Sequence, residues 1–327
     1  MKILVTGSSG HLGEALVRTL RESPHSPIGI DVLPSPFTDR VISITDRDAV
    51  RESMVGVDAV FHTATLHKPH VGTHSRQKFV DTNITGTLNL LEEAVAAGVQ
   101  AFIFTSTTSA FGDALSPPRS TPASWITEDV RSVPKNIYGA TKTAAEDLCQ
   151  LFHRNQGLGC IVLRTARFFP EADDNKAQRD SYNELNLKVN EFLNRRADVE
   201  DIVSAHLKAL ERIPDIGFGK FIISATSPFT QEDLAELRID VAGVLRRRVP
   251  GYEQIYGELG WKVPADIDRV YVNERARLML GWEPLHNFEH TLDRLRRGED
   301  HRSALTRRIG SKGYHVETFM DWPYPVE

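Results

Sequence analysis

Apolar residues fall in short blocks separated by stretches with helical spacing, and the alternation starts at once. Lys2-Ile3-Leu4-Val5 predicts a buried strand, and the spacing of apolar positions over 14–20 predicts a helix after an intervening glycine-rich turn. Further strands are predicted at 27–31, 40–44, 59–62, 101–105 and 160–164. Between them, helices are predicted over 46–54 and 76–97, the second stopped by Gly98, and from behind Pro134 to about Asn155. Strand–helix alternation of this kind predicts an α/β fold with a doubly wound parallel sheet, whose ligands bind at the carboxyl ends of the strands. Beyond Arg167 the pattern loosens, with helices at 180–193, 199–210 and 273–280 and a strand at 220–224. The expected organisation is a nucleotide-binding domain over 1–167, rejoined by 197–224, and a smaller α/β substrate lobe from 168–196 and 225–297. A tail over 298–327 has no assigned role. Its Tyr314, Phe319, Trp322 and Tyr324, with Pro323 and Pro325, predict a segment packed on another surface, either over the substrate cleft or between subunits.

The turn after the first strand reads Thr6-Gly7-Ser8-Ser9-Gly10-His11-Leu12-Gly13. Strand, glycine turn and helix are the setting a dinucleotide fingerprint needs. Gly7 allows the tight turn, Gly10 lets a pyrophosphate approach the backbone, and Gly13 allows close helix–strand packing. The N–H groups at the helix start then face the phosphate charge. The second strand ends on Asp31, about 20 residues further on, where a carboxylate can accept from ribose hydroxyls. Val32, Leu33 and Pro34 follow it with no cation, which favours NAD over its 2′-phosphorylated form. Tyr138 and Lys142, four residues apart, share a helix face. An ammonium beside a phenol lowers its pKa from about 10 towards the range of acid–base catalysis.

The chain has 327 residues, 40% hydrophobic and 25% charged, with a formal net charge of −5. Such a balance gives no reason to expect a nucleic-acid partner, and Arg246-Arg247-Arg248 reads as a solvated helix end. No apolar run is long enough to span a bilayer, and the first strand begins where a signal peptide would lie, so a cytoplasmic enzyme is expected. The two cysteines, Cys149 and Cys160, give neither a disulfide framework nor a metal cluster. His67 and His70 are three residues apart without a third ligand in sequence, so no metal is expected.

In addition to the glycine turn, Asp31 and the Tyr138–Lys142 pair, several segments follow one another in a familiar order: Asp58-Ala59-Val60-Phe61-His62, Asn83-Ile84-Thr85-Gly86-Thr87, Phe104-Thr105-Ser106-Thr107, 195–206 and Leu280-Gly281-Trp282-Glu283-Pro284. Together the chain resembles the extended short-chain dehydrogenase/reductases, in particular the NAD-dependent epimerase/dehydratase group, across about residues 1–297. The resemblance implies a Rossmann-type domain and NAD as cofactor, held by Gly7, Gly10, His11, Leu12, Gly13, Asp31, Ser43, Ile44, Thr63, Ala64, Asn83, Thr105, Tyr138 and Lys142. It implies Tyr138 as the proton-transferring phenol, Lys142 as its activator, and Thr107 as the hydroxyl that bonds the reacting oxygen. Thr107, Thr108 and Arg167 are the expected substrate contacts. Arg167 stands where many nucleotide-sugar enzymes of the group have Asn, and a salt bridge to the second lobe is its alternative role. The group usually has Asp where this chain has Ser43 before Ile44, and its dehydratases resemble Thr-Asp-Glu where this chain has Thr107-Thr108-Ser109. Members often pair through two long helices per subunit, which implies a homodimer through the helices ending near Ala97 and Asn155. The implied function is hydride transfer at a carbinol carbon of a sugar or nucleotide sugar, as epimerase or dehydrogenase. The short insertion after Arg167, Arg167 itself and the run Phe169-Pro170-Glu171, which resembles uronate dehydrogenases, point to a smaller acidic sugar instead. A third reading is an NAD-binding regulatory protein without turnover.

Overall fold

In the computed structural model, which describes residues 1–315, 319 and 324, seven strands make one sheet in which every pairing is parallel. They are β1 (Lys2–Thr6), β2 (Ser26–Asp31), β3 (Arg40–Val41), β4 (Ala59–His62), β5 (Ala101–Thr107), β7 (Gly159–Thr165) and β8 (Phe218–Ile223). Their order is β3-β2-β1-β4-β5-β7-β8. The sixth and ninth strands, β6 (Ser124–Ile126) and β9 (Arg269–Tyr271), form a separate two-stranded parallel sheet. The chain runs outward from β1 to one edge and then from β4 to the other. The strand order therefore reverses beside β1, where doubly wound sheets bind ligands.

Helices cover both faces. They are α1 (His11–Arg21), α2 (Arg47–Ser53), α3 (Arg76–Phe79), α4 (Gly86–Ala96), α5 (Ile137–Gln156), α6 (Lys176–Ser181), α7 (Glu184–Glu191) and α8 (Val199–Ile216). Strand residues alternate between two cores, as the two-residue period of a strand requires. Ile3, Val5 and Ile103 pack with Leu12, Leu16, Ile202 and Ala209 under α1 and α8. Leu4, Phe102 and Phe104 pack with Val50, Leu90, Ala145 and Cys149 under α2, α4 and α5. Each such side chain, once fully buried, contributes roughly 1.5–3 kcal/mol. A third apolar cluster gathers Phe192, Phe229, Val244, Tyr256, Val270 and Phe288. It lies among α7, α9 (Val241–Arg248), α10 (Tyr252–Leu259) and the segment after α11 (Glu274–Leu280) that becomes α12 (Phe288–Arg296). The last helix, α13 (Ala304–Ile309), returns to contact α1 and α8.

Three elements differ from the sequence expectation. The strand expected over 40–44 pairs only at Arg40–Val41, because it is the sheet edge and the chain turns at Ser43, whose carbonyl accepts from the Asp46 N–H. The helix expected over 76–97 contains a π-helical turn at Val80–Thr85. The helix expected over 180–193 is two, because the Asn183 side chain caps α7 by accepting from Leu185 N at 2.9 Å. Trp322, Pro323 and Pro325 of the tail lie outside the described residues.

Candidate active site

The glycine turn is dictated by contacts a side chain would not survive. Gly7 has φ +71°, and a Cβ there would sit 2.8 Å from the Ala64 N atom. A Cβ on Gly13 would sit 1.9 Å from the Gly7 carbonyl oxygen, so α1 approaches the turn as closely as backbone allows. Gly10 caps α1 with no side-chain bond, which leaves the first-turn N–H groups of the helix to an outside acceptor. That cradle, open at a positive helix end, fits a pyrophosphate. Thr6 Oγ1 accepts from Thr63 N and Ala64 N, both at 3.1 Å, and fastens the β4 loop to the β1 end. Asp31 is aimed by two backbone donors, Ser9 N at 3.0 Å and Leu33 N at 2.9 Å. Its remaining lone pairs suit ribose hydroxyls. Ser43 is half-buried, whereas Ile44 is buried and belongs to the core beneath α4.

Asn83 sits in the π-helical turn, and its carboxamide is fully used. Nδ2 donates to Leu66 O and Thr141 Oγ1, and Oδ1 accepts from Leu66 N and Thr65 Oγ1. In this arrangement Asn83 ties the β4 loop to α5. π-Turns often mark sites where a side chain must be re-aimed, and here the re-aimed group is this amide.

Tyr138 and Lys142 lie on the first turns of α5 with Thr107 at the end of β5, and all three are buried. Burial pushes the Tyr138 phenol up to about 12, and the Thr107 hydroxyl acts the other way, towards the ionised form. Lys142 has its own partners in this geometry. The ammonium donates to the Thr105 carbonyl at 2.7 Å and lies 3.9 Å from the centre of the Phe104 ring. Burial pulls Lys142 down to about 7, with Glu146 acting the other way. Sequence spacing placed the two groups on one face but could not show how dry that face is, and desolvation is the larger effect.

Glu146 was missed by sequence reasoning, although it lies one further helical turn along the same face. It is fully buried, accepts from Ser106 Oγ at 2.6 Å and pairs with Arg164 at 2.7 Å. Thus Tyr138, Lys142 and Glu146 form a file at i, i+4 and i+8. Thr108 is buried in the short turn that follows β5.

Arg167 does not present a free fork. Its Nη1 is 2.6 Å from Asp173, 3.5 Å from Glu191 and 3.7 Å from Asp174. The guanidinium is engaged by these carboxylates and is not an unpaired anion receptor. His67 and His70 have ring centres 4.7 Å apart. Among the described residues, the one grouping with metal-ligand spacing is Asp198, Glu200 and His286. There the Asp198 carboxylate already accepts from Glu200 N, Ser303 N and Thr306 Oγ1, as a helix cap would.

The family model described as NAD dependent epimerase/dehydratase matches residues 3–220. The chain belongs to that family. A UDP-glucose 4-epimerase of Rhizobium meliloti is 25% identical over 323 residues, covering 87% of this chain and 93% of that protein. A 3-beta-hydroxysteroid dehydrogenase of Mycolicibacterium neoaurum is 25% identical over 333 residues, covering 89% of each. An uncharacterized protein of Sinorhizobium fredii is 32% identical, over 49% of this chain and 39% of its own length. Among solved structures, UDP-glucose 4-epimerase of Thermotoga maritima superposes with TM-score 0.61 at 25% identity, covering 91% of this chain and 99% of that one.

As a member of the epimerase/dehydratase family the protein is an NAD-dependent enzyme of the short-chain dehydrogenase/reductase type, and the glycine cradle with Asp31 is its fit to that cofactor. Among the described residues no helix is long and apolar enough to cross a membrane.

Proposed function

We propose that the enzyme transfers hydride at a carbinol carbon of a sugar or nucleotide sugar, with Tyr138 as the acid/base. The reading is carried by one observation: Thr107, Tyr138 and Lys142 converge, buried, at the carboxyl end of β5, two strands from the glycine cradle. Relatives named for chemistry at position 4 of a nucleotide sugar and at a 3β-hydroxyl of a steroid support a secondary alcohol as the reacting group.

Thr107 donates to the substrate oxygen and holds it beside the phenol. Tyr138, as phenolate, takes the hydroxyl proton while the carbon–hydrogen bond breaks, leaving a carbonyl. Lys142 sits one turn behind, and in its protonated form its positive charge favours the phenolate. The bound NAD supplies the hydride acceptor. In epimerisation the carbonyl then takes the hydride back on its other face, and Tyr138 returns the proton. In dehydrogenation the carbonyl product leaves.

For the alternative reading of a smaller acidic sugar, Arg167 is paired with Asp173, and the short insertion and the Phe169-Pro170-Glu171 run remain its support. A homodimer through α4 and α5 is part of the proposal. The test is a panel of UDP-linked and free sugars incubated with the NAD-loaded protein. Stereochemical inversion or reduced nicotinamide supports the reading. Failure of the protein to bind NAD, or inertness towards every secondary alcohol offered, contradicts it.

A further inference from the structure

The described part of the tail comes back across the strand ends that carry the cofactor cradle. After α13 the chain turns at Gly310 (φ +64°) and Gly313 (φ +69°). It then meets Glu171, which follows β7 and is 5% exposed. Glu171 Oε1 accepts from Ser311 Oγ at 2.9 Å, Lys312 N at 2.9 Å and Gly313 N at 3.2 Å, and Oε2 accepts from the Tyr314 hydroxyl at 3.1 Å. The same Oε1 bonds His11 Nε2 at 2.8 Å, and His11 is the first residue of α1 inside the glycine turn. One buried carboxylate therefore fastens tail and cradle together.

Two other contacts extend the seat. Lys312 Nζ donates to the Ser9 carbonyl at 2.7 Å and pairs with Glu14, so the strap also grips the cradle from its other side. His315 Nε2 bonds the Pro69 carbonyl at 2.9 Å, and the Tyr314 ring packs against His67 and Phe169, with centres 5.0 and 5.8 Å away. The strap thus spans the ends of β1, β4 and β7, where the fold binds its ligand. Charge-assisted bonds to a buried carboxylate are among the stronger ones a surface segment can make. Glu171 is held down to about 2 by these donors despite its burial, so the seat keeps its negative charge at neutral pH.

We propose that Glu171 and Lys312 are cofactor-retaining residues: they hold residues 311–315 over the glycine cradle, so that NAD stays bound from one turnover to the next. This rests on the proposed reading, and it favours one branch of it. A substrate that has lost a hydride and a proton can regain both at the same site, inverted at carbon, with no net oxidation and no cofactor to exchange. A dehydrogenase must release reduced cofactor every cycle, and a strap of this kind would slow it.

The experiment reads NAD dissociation directly and needs no substrate. Full-length protein is loaded with radiolabelled NAD, chased with excess unlabelled NAD, and the retained label is followed in time. Glu171→Gln keeps the shape and removes the charge; Lys312→Met removes the grip on Ser9 and Glu14 and leaves the backbone bonds of the strap to Glu171 in place. Each variant is expected to release NAD about tenfold faster or more, the effect of losing one charge-assisted bond, with Glu171→Asp intermediate and melting temperature unchanged for Lys312→Met. Equal dissociation rates in all four proteins would overturn the strap while leaving the hydride-transfer reading intact. Absence of NAD binding in the unaltered protein would overturn both.

Discussion

At Lys142 two effects compete and the drier one wins. The ammonium has the Thr105 carbonyl and the Phe104 ring as neighbours, and Glu146 further along the helix, yet burial still pulls it down to about 7 from 10.5. Between those values the unfolded chain holds a proton that the folded chain has shed, so this residue makes stability rise with pH from about 7 to 10.5. Below that window its full penalty is present. Chemical denaturation as a function of pH is expected to show that positive slope, and Lys142→Met to flatten it; an unchanged slope in the variant would assign it elsewhere. The shared helix face of Tyr138 and Lys142 was legible from their spacing and the glycine turn from its place after β1, whereas Thr107 came from the family resemblance alone. The dryness of that face was not legible, because it depends on the Phe104 side of β5 and on Glu146–Arg164, partners 18 residues apart that only folding brings together. Arg167 was legible as a cation at a sheet end, but not its partners: Asp173 lies in an irregular loop with no pattern to place it.

The elements were read best where a strong local signal repeats. Gly13 is one such position. Its substitution by Ala forces a methyl to within 1.9 Å of the Gly7 carbonyl, so α1 must move away from the turn. Overpacking of this kind costs roughly 1–3 kcal/mol, and the shifted helix end also weakens the phosphate cradle. Gly13→Ala is therefore expected to lower both the melting temperature and NAD affinity, whereas Gly98→Ala, where a Cβ meets nothing within 4 Å, costs only its positive φ and leaves NAD binding alone. NAD titration of the two variants distinguishes them, and equal affinities would remove Gly13 from the site. The π-turn at Val80–Thr85 was not legible, since its apolar spacing matches an α-helix until the Asn83 amide is seen to need Leu66 and Thr141 at once. The split between α6 and α7 had a readable cap in Asn183, which an unbroken helical pattern around it concealed.

For the whole molecule, the parallel sheet and its strand order follow from alternation and from the short crossovers it permits. The tail shows the limit of that reasoning. Its aromatic residues announced a packed segment, and the described ones do pack, Tyr314 on His67 and Phe169 and Tyr324 against Tyr314. Where they pack depends on Glu171, some 140 residues earlier in the chain, and no local pattern carries that distance. The proposed homodimer belongs to this scale too. Light scattering on the full chain is expected to give twice the 36.6 kDa subunit mass, with Leu151→Glu on the exposed side of α5 lowering it towards one subunit; an unaltered protein at one subunit mass would remove the dimer from the account. The central claim is that the buried phenol of Tyr138 moves the proton while hydride leaves the same carbinol carbon. Single-turnover mixing of NAD-loaded Tyr138→Phe with a substrate accepted by the unaltered enzyme tests it most directly. The variant is expected to stay loaded with NAD while its hydride-transfer rate falls by roughly 10²–10⁴-fold, whereas a rate equal to that of the unaltered enzyme would contradict the claim.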